Sequence, residues 1–152
     1  MRVGTPEQMA ELGARIAGEL RAGDLVALEG ELGAGKTTLT RGLGAALAVR
    51  GAITSPTFVL ARTHPREDGP PLVHVDAYRL ASALELDDLD IDFAGSIVVV
   101  EWGAGKLDGI TDDWLEVRIA RPHGGVLDDE VEPREVELIA HGERWARVGW
   151  VA

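Results

Sequence analysis

Apolar residues recur at helical spacing early in the chain, where Met9, Leu12, Ile16 and Leu20 form one stripe. Thr5 suits an N-cap, Pro6 suits the first helical position and Gln8 completes a capping box, so a helix is predicted over Thr5 to Leu20. Gly23 stands just past its end, where a left-handed turn is wanted. Asp24 to Glu29 reads as a buried strand, Gly30 to Gly35 as a glycine-rich turn and Lys36 to Val49 as a second helix carrying Leu39, Leu43 and Leu47. Further on, 57–61 reads as a strand, Arg62 to Pro71 as a polar loop and Leu72 to Val75 as a short strand ending at Asp76, the two strands forming a hairpin. Ser82 and Glu85 make a second capping box for a short acidic helix through Leu89. Ile97 to Val100 is continuously apolar, the pattern of a strand buried on both faces.

The last third alternates instead. Leu115, Val117 and Ile119 alternate with Glu116 and Arg118, and Val136 and Leu138 with Glu135 and Glu137. Trp145 to Val151 is mostly apolar and follows a turn at Gly142. All three segments read as half-exposed antiparallel strands, with 121–133 as a loop. The expected fold is therefore α/β: a mixed sheet of P-loop NTPase type flanked by helices, with antiparallel strands in the C-terminal third. No internal repeat or long linker divides the 152 residues, so a single domain over 1–152 is expected.

Composition narrows the function. The formal net charge is −11, from 26 acidic and 15 basic residues, which opposes autonomous binding to nucleic acid or anionic membrane. No cysteine is present, which removes disulfides, thiolate catalysis and zinc–thiolate sites. Met1 to Gly13 holds no apolar signal-peptide core, and Ile97 to Val100 is far too short to span a bilayer. A cytoplasmic protein is expected. The four histidines are scattered without metal-ligand spacing, and His74, opposite in facing to Val73 and Val75, reads as a packed or hydrogen-bonding residue.

The chemistry lies in Gly30 to Thr37, which matches G-x-x-x-x-G-K-[ST] between a buried strand and a helix. Chance alone gives an expectation of roughly 0.002 such matches in a chain of this composition. Glycines let successive backbone N–H groups at Gly33, Ala34, Gly35, Lys36, Thr37 and Thr38 turn toward phosphate oxygens. Lys36 supplies the point charge for the outer phosphates, and the Thr37 hydroxyl suits magnesium. A neighbouring strand should end in a carboxylate that orders the metal or a water, and both Asp76 and Glu101 qualify. The hydroxyl-rich run Thr54 to Thr57 is either a γ-phosphate sensor or a cap for the next strand. Gly103 to Leu107 repeats the glycine–lysine core without the first glycine or the hydroxyl, and reads as a turn. Asparagine is absent, so the N-K-x-D guanine motif is absent too, and ATP with Mg2+ is the expected ligand.

Four motifs taken together, Gly30 to Thr38, Ser55-Pro56-Thr57-Phe58, His74-Val75-Asp76-Ala77-Tyr78-Arg79-Leu80 and Val100-Glu101-Trp102-Gly103, resemble the TsaE family of bacterial tRNA threonylcarbamoyladenosine synthesis. The likeness runs from about Thr5 to Trp102. It implies an ATPase that works with the paired TsaB and TsaD proteins, which transfer threonylcarbamoyl to adenosine 37 of tRNA. The TsaE member is not itself the transferase, and tRNA is met only through the pair. Lys36 would grip phosphate, Thr37 and Glu101 would serve magnesium, and Asp76 would be the acid most tied to hydrolysis. Thr57 would belong to a switch-like loop and Trp102 would lie beside the nucleotide. Glu31 stands where the family often has aspartate, and Met9 where it often has threonine. A small-molecule kinase with Arg62 and Arg66 in a lid is the alternative.

Overall fold

The computed structural model describes residues 1–30, 35–51, 53, 61–77, 80, 89–102, 107, 110–120 and 134–151. Among them run β1 (Arg2–Val3), α1 (Pro6–Ala17), β2 (Leu25–Gly30), α2 (Lys36–Leu47), β3 (Ala61–His64), β4 (Leu72–Asp76), β5 (Ile97–Glu101), β6 (Trp114–Ala120), β7 (Arg134–His141) and α3 (Glu143–Ala146). The expected strand over 57–60, the acidic helix beginning at Ser82 and the decoy turn at 103–106 lie outside the described residues.

Seven strands form one mixed sheet in the order β1-β7-β6-β2-β5-β4-β3. The four central strands β6, β2, β5 and β4 are mutually parallel, and the edges are antiparallel. Because β5 is fully buried, its Val98, Val99 and Val100 alternate between two cores. One face packs Val26, Leu28, Ile97 and Val99 against α1, α2 and the C-terminal turns. The other packs Leu25, Ala27, Val98 and Val100 beneath Leu80, Leu107 and the 89–93 segment.

Helix α1 begins as its sequence predicts. Thr5 Oγ1 accepts from the Gln8 N–H at 3.1 Å, while the Gln8 side chain accepts from the Gly4 N–H at 2.6 Å, one residue before the expected position. The helix ends at Ala17 instead of Leu20, because the Glu19 and Leu20 N–H groups bond three residues back. Helices α1 and α2 cross at glycines. A Cβ on Gly13 would lie 2.1 Å from the Leu39 carbonyl oxygen, and one on Gly42 would lie 2.1 Å from that of Ala10. This contact sets how closely α2 approaches, and so where its N-terminus sits over the sheet edge.

Three expectations are corrected. Residues 62–64 belong to strand β3, not to the polar loop. Arg62 and Thr63 are exposed, as the outermost strand of a sheet permits, which hid the strand in the polar pattern. Trp145 to Val151 is no strand. Helix α3 and the turns after it bury Trp145, Val148 and Val151, a spacing of three that brings one side repeatedly to the core. Strand β6 is not purely antiparallel: it is central, paired parallel to β2 and antiparallel to β7, while Arg118 and Ala120 on its outward face are exposed as the alternation suggested. Arg144 anchors the end of the chain, donating from two guanidinium nitrogens to the Asp24 carboxylate at 3.0 and 3.3 Å.

On the face of β6 opposite the helices, Glu116 is 6% exposed and accepts from the Arg118 guanidinium; its other oxygen lies 2.7 Å from His141 Nε2. His141 stacks on Trp114 at 4.2 Å. Burial pushes the Glu116 carboxyl up, but the bonds from His141 and Arg118 outweigh it and hold it below the usual glutamate range. A depressed folded value means stability that is present above the unfolded value and lost as pH falls through the folded one.

Two tests follow from these contacts. Gly42→Ala should destabilise the fold by about 1–3 kcal/mol in urea unfolding, since the methyl meets backbone that cannot yield without moving a helix. An unchanged midpoint would contradict the close crossing. Urea stability measured from neutrality down through the acid range should fall less steeply in Glu116→Gln than in wild type. Parallel curves would remove Glu116 from the acid sensitivity.

Candidate active site at the carboxyl edge of the sheet

Strand β2 ends at Gly30 and α2 opens at Lys36, so the turn between them is spanned by Gly35 at its far end. Gly35 is left-handed at φ 116°, a conformation that a side chain resists, and its Cα faces the Met9 side chain. A Cβ there would lie 3.1 Å from the Met9 terminal methyl. Met9 is itself buried.

Lys36 is 6% exposed although it is charged. Its ammonium donates to the Gly30 carbonyl at 2.5 Å and lies 4.2 Å from the centroid of the Trp102 ring. A carbonyl dipole and an aromatic face together offset part of the cost of burying an ammonium. Trp102 reaches this place by an unusual backbone turn: its φ is 63°, which costs a non-glycine residue about 1 kcal/mol. The Trp102 N–H donates to the Leu28 carbonyl at 2.9 Å, holding the turn against β2.

Register delivers the two acids. Glu101 pairs with Leu28 on one side and with Asp76 on the other, all at the carboxyl ends of parallel strands. Alternation from Ile97 and Val99, and from Leu72, puts Glu101 and Asp76 on the face covered by α2. Asp76 is half-buried, whereas Glu101 is 5% exposed and its Oε2 lies 2.6 Å from Nε2 of His74, which is fully buried. His74 is thus a hydrogen-bonding residue, as its sequence position suggested. Its partner was not legible there, because the pairing of β4 with β5 is a long-range fact. Two signals were available: His74 and Asp76 share a face, and Glu101 ends the neighbouring apolar strand.

Lys36, Glu101, Asp76 and Trp102 are therefore brought to one edge, with Thr37 and Thr38 half-buried in the first turn of α2. Gly33, Ala34 and Thr57 lie outside the described residues, as does Arg79. Arg41 Nε donates to the Ile53 carbonyl at 3.0 Å, and Arg66 Nε donates to that of Leu47 at 2.8 Å. No described helix is long and apolar enough to cross a membrane.

A parallel strand followed by a helix whose first residue is lysine, with carboxylates closing the two neighbouring strands, belongs to a mixed α/β sheet flanked by helices, a fold like that of P-loop proteins. The chain belongs to the TsaE family: residues 3–125 match the family model described as threonylcarbamoyl adenosine biosynthesis protein TsaE. It is 61% identical over 142 residues to the tRNA threonylcarbamoyladenosine biosynthesis protein TsaE of Streptomyces coelicolor, covering 91% of this chain and 94% of that one. The protein of the same name from Bacillus subtilis is 34% identical over 146 residues, covering 95% and 87%. A crystal structure of Bacillus subtilis YdiB superposes with a TM-score of 0.74 at 30% identity, covering 96% of this chain and 87% of that one.

The Lys36–Trp102 contact is open to a double-mutant cycle. Lys36→Met and Trp102→Phe, alone and combined, should give a coupling of about 0.5–2 kcal/mol in urea unfolding. Strict additivity would mean that the ammonium does not rest on that ring.

Proposed function

We propose that this chain is a magnesium-dependent ATPase that serves threonylcarbamoylation of adenosine 37 in tRNA, acting with the TsaB–TsaD pair and not itself performing the transfer. The observation that carries the reading is the Lys36 ammonium at the start of α2, held between the Gly30 carbonyl and the Trp102 ring, with Glu101 and Asp76 paired with each other at the carboxyl ends of adjacent strands. Family membership supports the tRNA-modification role.

The donor set fits magnesium. Thr37, Asp76 and Glu101 offer hard oxygens, and no cluster of three or more His, Cys, Asp or Glu forms a metal cage among the described residues. None is needed, because magnesium is commonly held by one or two protein ligands together with phosphates and water. Thr37 and Glu101 would hold it, and when bound it neutralises charge on the outer phosphates. Lys36 binds and orients those phosphates. The α2 N-terminus adds its first-turn N–H groups to the same oxygens. Asp76, the more open of the two acids, orients the attacking water and accepts its proton.

A kinase lid is disfavoured by where the loop arginines go. Arg66 is tied to the Leu47 and Pro70 carbonyls, and Arg62 is on the outermost strand. Charge argues for an indirect link to tRNA, since −11 opposes a polyanion. An activating cation would then come from a protein partner, worth roughly a thousandfold or more in related enzymes.

Isolated protein should hydrolyse ATP slowly to ADP and free phosphate, and the TsaB–TsaD pair should accelerate it. Asp76→Ala and Glu101→Ala should lower single-turnover rates far more than they lower ATP affinity, because ordering of water and metal acts mainly on the transition state. A phosphorylated metabolite as product, or strong stimulation by tRNA alone with none from the pair, would contradict the proposal.

A further inference from the structure

The His74–Glu101 pair is expensive for a fold to keep. Both groups are almost wholly shielded from water, and they sit in a face whose other inward positions on the same strands are Leu72, Ile97 and Val99, with the half-buried Asp76 at its edge. Replacing a buried polar pair by packed apolar side chains is often neutral or stabilising. Packing alone therefore does not account for an imidazole and a carboxylate at these two positions.

Hydrogen-bond accounting fixes the state of the ring. Nε2 lies 2.6 Å from Glu101 Oε2, while Nδ1 meets no donor or acceptor among the described residues. A proton on Nδ1 would be a buried donor with nowhere to go. The neutral ring with its proton on Nε2 satisfies the arrangement: Nε2–H donates to the carboxylate and Nδ1 keeps its lone pair. Since β4 and β5 are locked in register by their cores, the donor cannot drift along the strand.

We infer that His74 is a positioning residue for Glu101. Its Nε2–H clamps Oε2 and leaves Oε1 as the oxygen that would serve the metal, a role that rests on the proposed magnesium-dependent site. An imidazole behind a carboxylate fixes the rotamer of a side chain that would otherwise swing between several, and it does so without adding net charge.

The test compares wild type, His74→Leu and His74→Gln, whose amide nitrogen occupies nearly the place of Nε2. Magnesium is titrated calorimetrically into each protein saturated with a non-hydrolysable ATP analogue, and analogue binding is also measured without metal. His74→Leu should bind magnesium about 10–100-fold more weakly, with metal-free analogue affinity changed less than about twofold. His74→Gln should recover to within about fivefold of wild type. Independently, long-range proton–nitrogen correlation spectra of the ligand-free wild type should show His74 protonated on Nε2 alone. That spectrum and the Gln variant decide the matter even if the Leu variant fails to fold. Wild-type magnesium affinity in folded His74→Leu, equal loss in Leu and Gln, or a proton on Nδ1 would each overturn the inference while leaving the proposed function standing. A wild type whose nucleotide binding ignores magnesium would overturn the proposed function and this inference with it.

Discussion

The alignment of three parallel strands is the constraint on which the rest depends. Leu28 stands level with Glu101, and Glu101 with Asp76, so the turn after β2 and the two acids reach the same edge. A one-residue slip of β5 would turn Glu101 to the opposite face and bring Val100 to the cradle. Slippage is opposed from both sides, because the inward and outward residues of β5 belong to separate packed cores. The interior thus does more than stabilise: it sets the angstrom-scale placement of charged groups that do not themselves favour folding. The glycine crossing of α1 and α2 supplies the second coordinate, bringing the N-terminus of α2 down over that edge.

Electrostatics at the edge runs against the molecule as a whole. The chain carries 26 acidic and 15 basic residues, yet at the cradle an ammonium is drawn in and made nearly inaccessible. The Gly30 carbonyl and the Trp102 face hold it in place. The left-handed turn at Trp102 is the conformational cost of that arrangement, and a turn of opposite sign would carry the indole away from Lys36. Strain at this residue falls where β5 leaves the sheet, with its N–H still bonded to the Leu28 carbonyl of β2 and its ring on Lys36.

Much of this was legible in the chain. Local signals were enough for Thr5 as a cap, for the strand–turn–helix around Gly30 to Thr37, and for the buried runs before Asp76 and Glu101, because each rests on neighbouring residues. What escaped was non-local or ambiguous in period. Strand β1 is two residues long and is defined by pairing with β7, 131 residues on from Val3 to Arg134. Strand β3 has the polar look of a loop because it is outermost among the described strands. Trp145, Val148 and Val151 are spaced by three, which distinguishes them from a strand, but the apolar residues between them blurred the period. The bond between His74 and Glu101 needed the order of the sheet, which places two segments 27 residues apart side by side.

The central claim is that the edge formed by α2, β4 and β5 is where nucleotide binds. Hydrogen exchange followed residue by residue, with and without magnesium and ATP, addresses it directly. The account predicts slowed exchange at Gly35 to Leu39 and at Glu101 and Trp102, with the exposed faces of β6 and β7 unchanged. Protection confined to β6, β7 or the C-terminal turns, or none at Gly35 to Leu39 under saturating nucleotide, would contradict it.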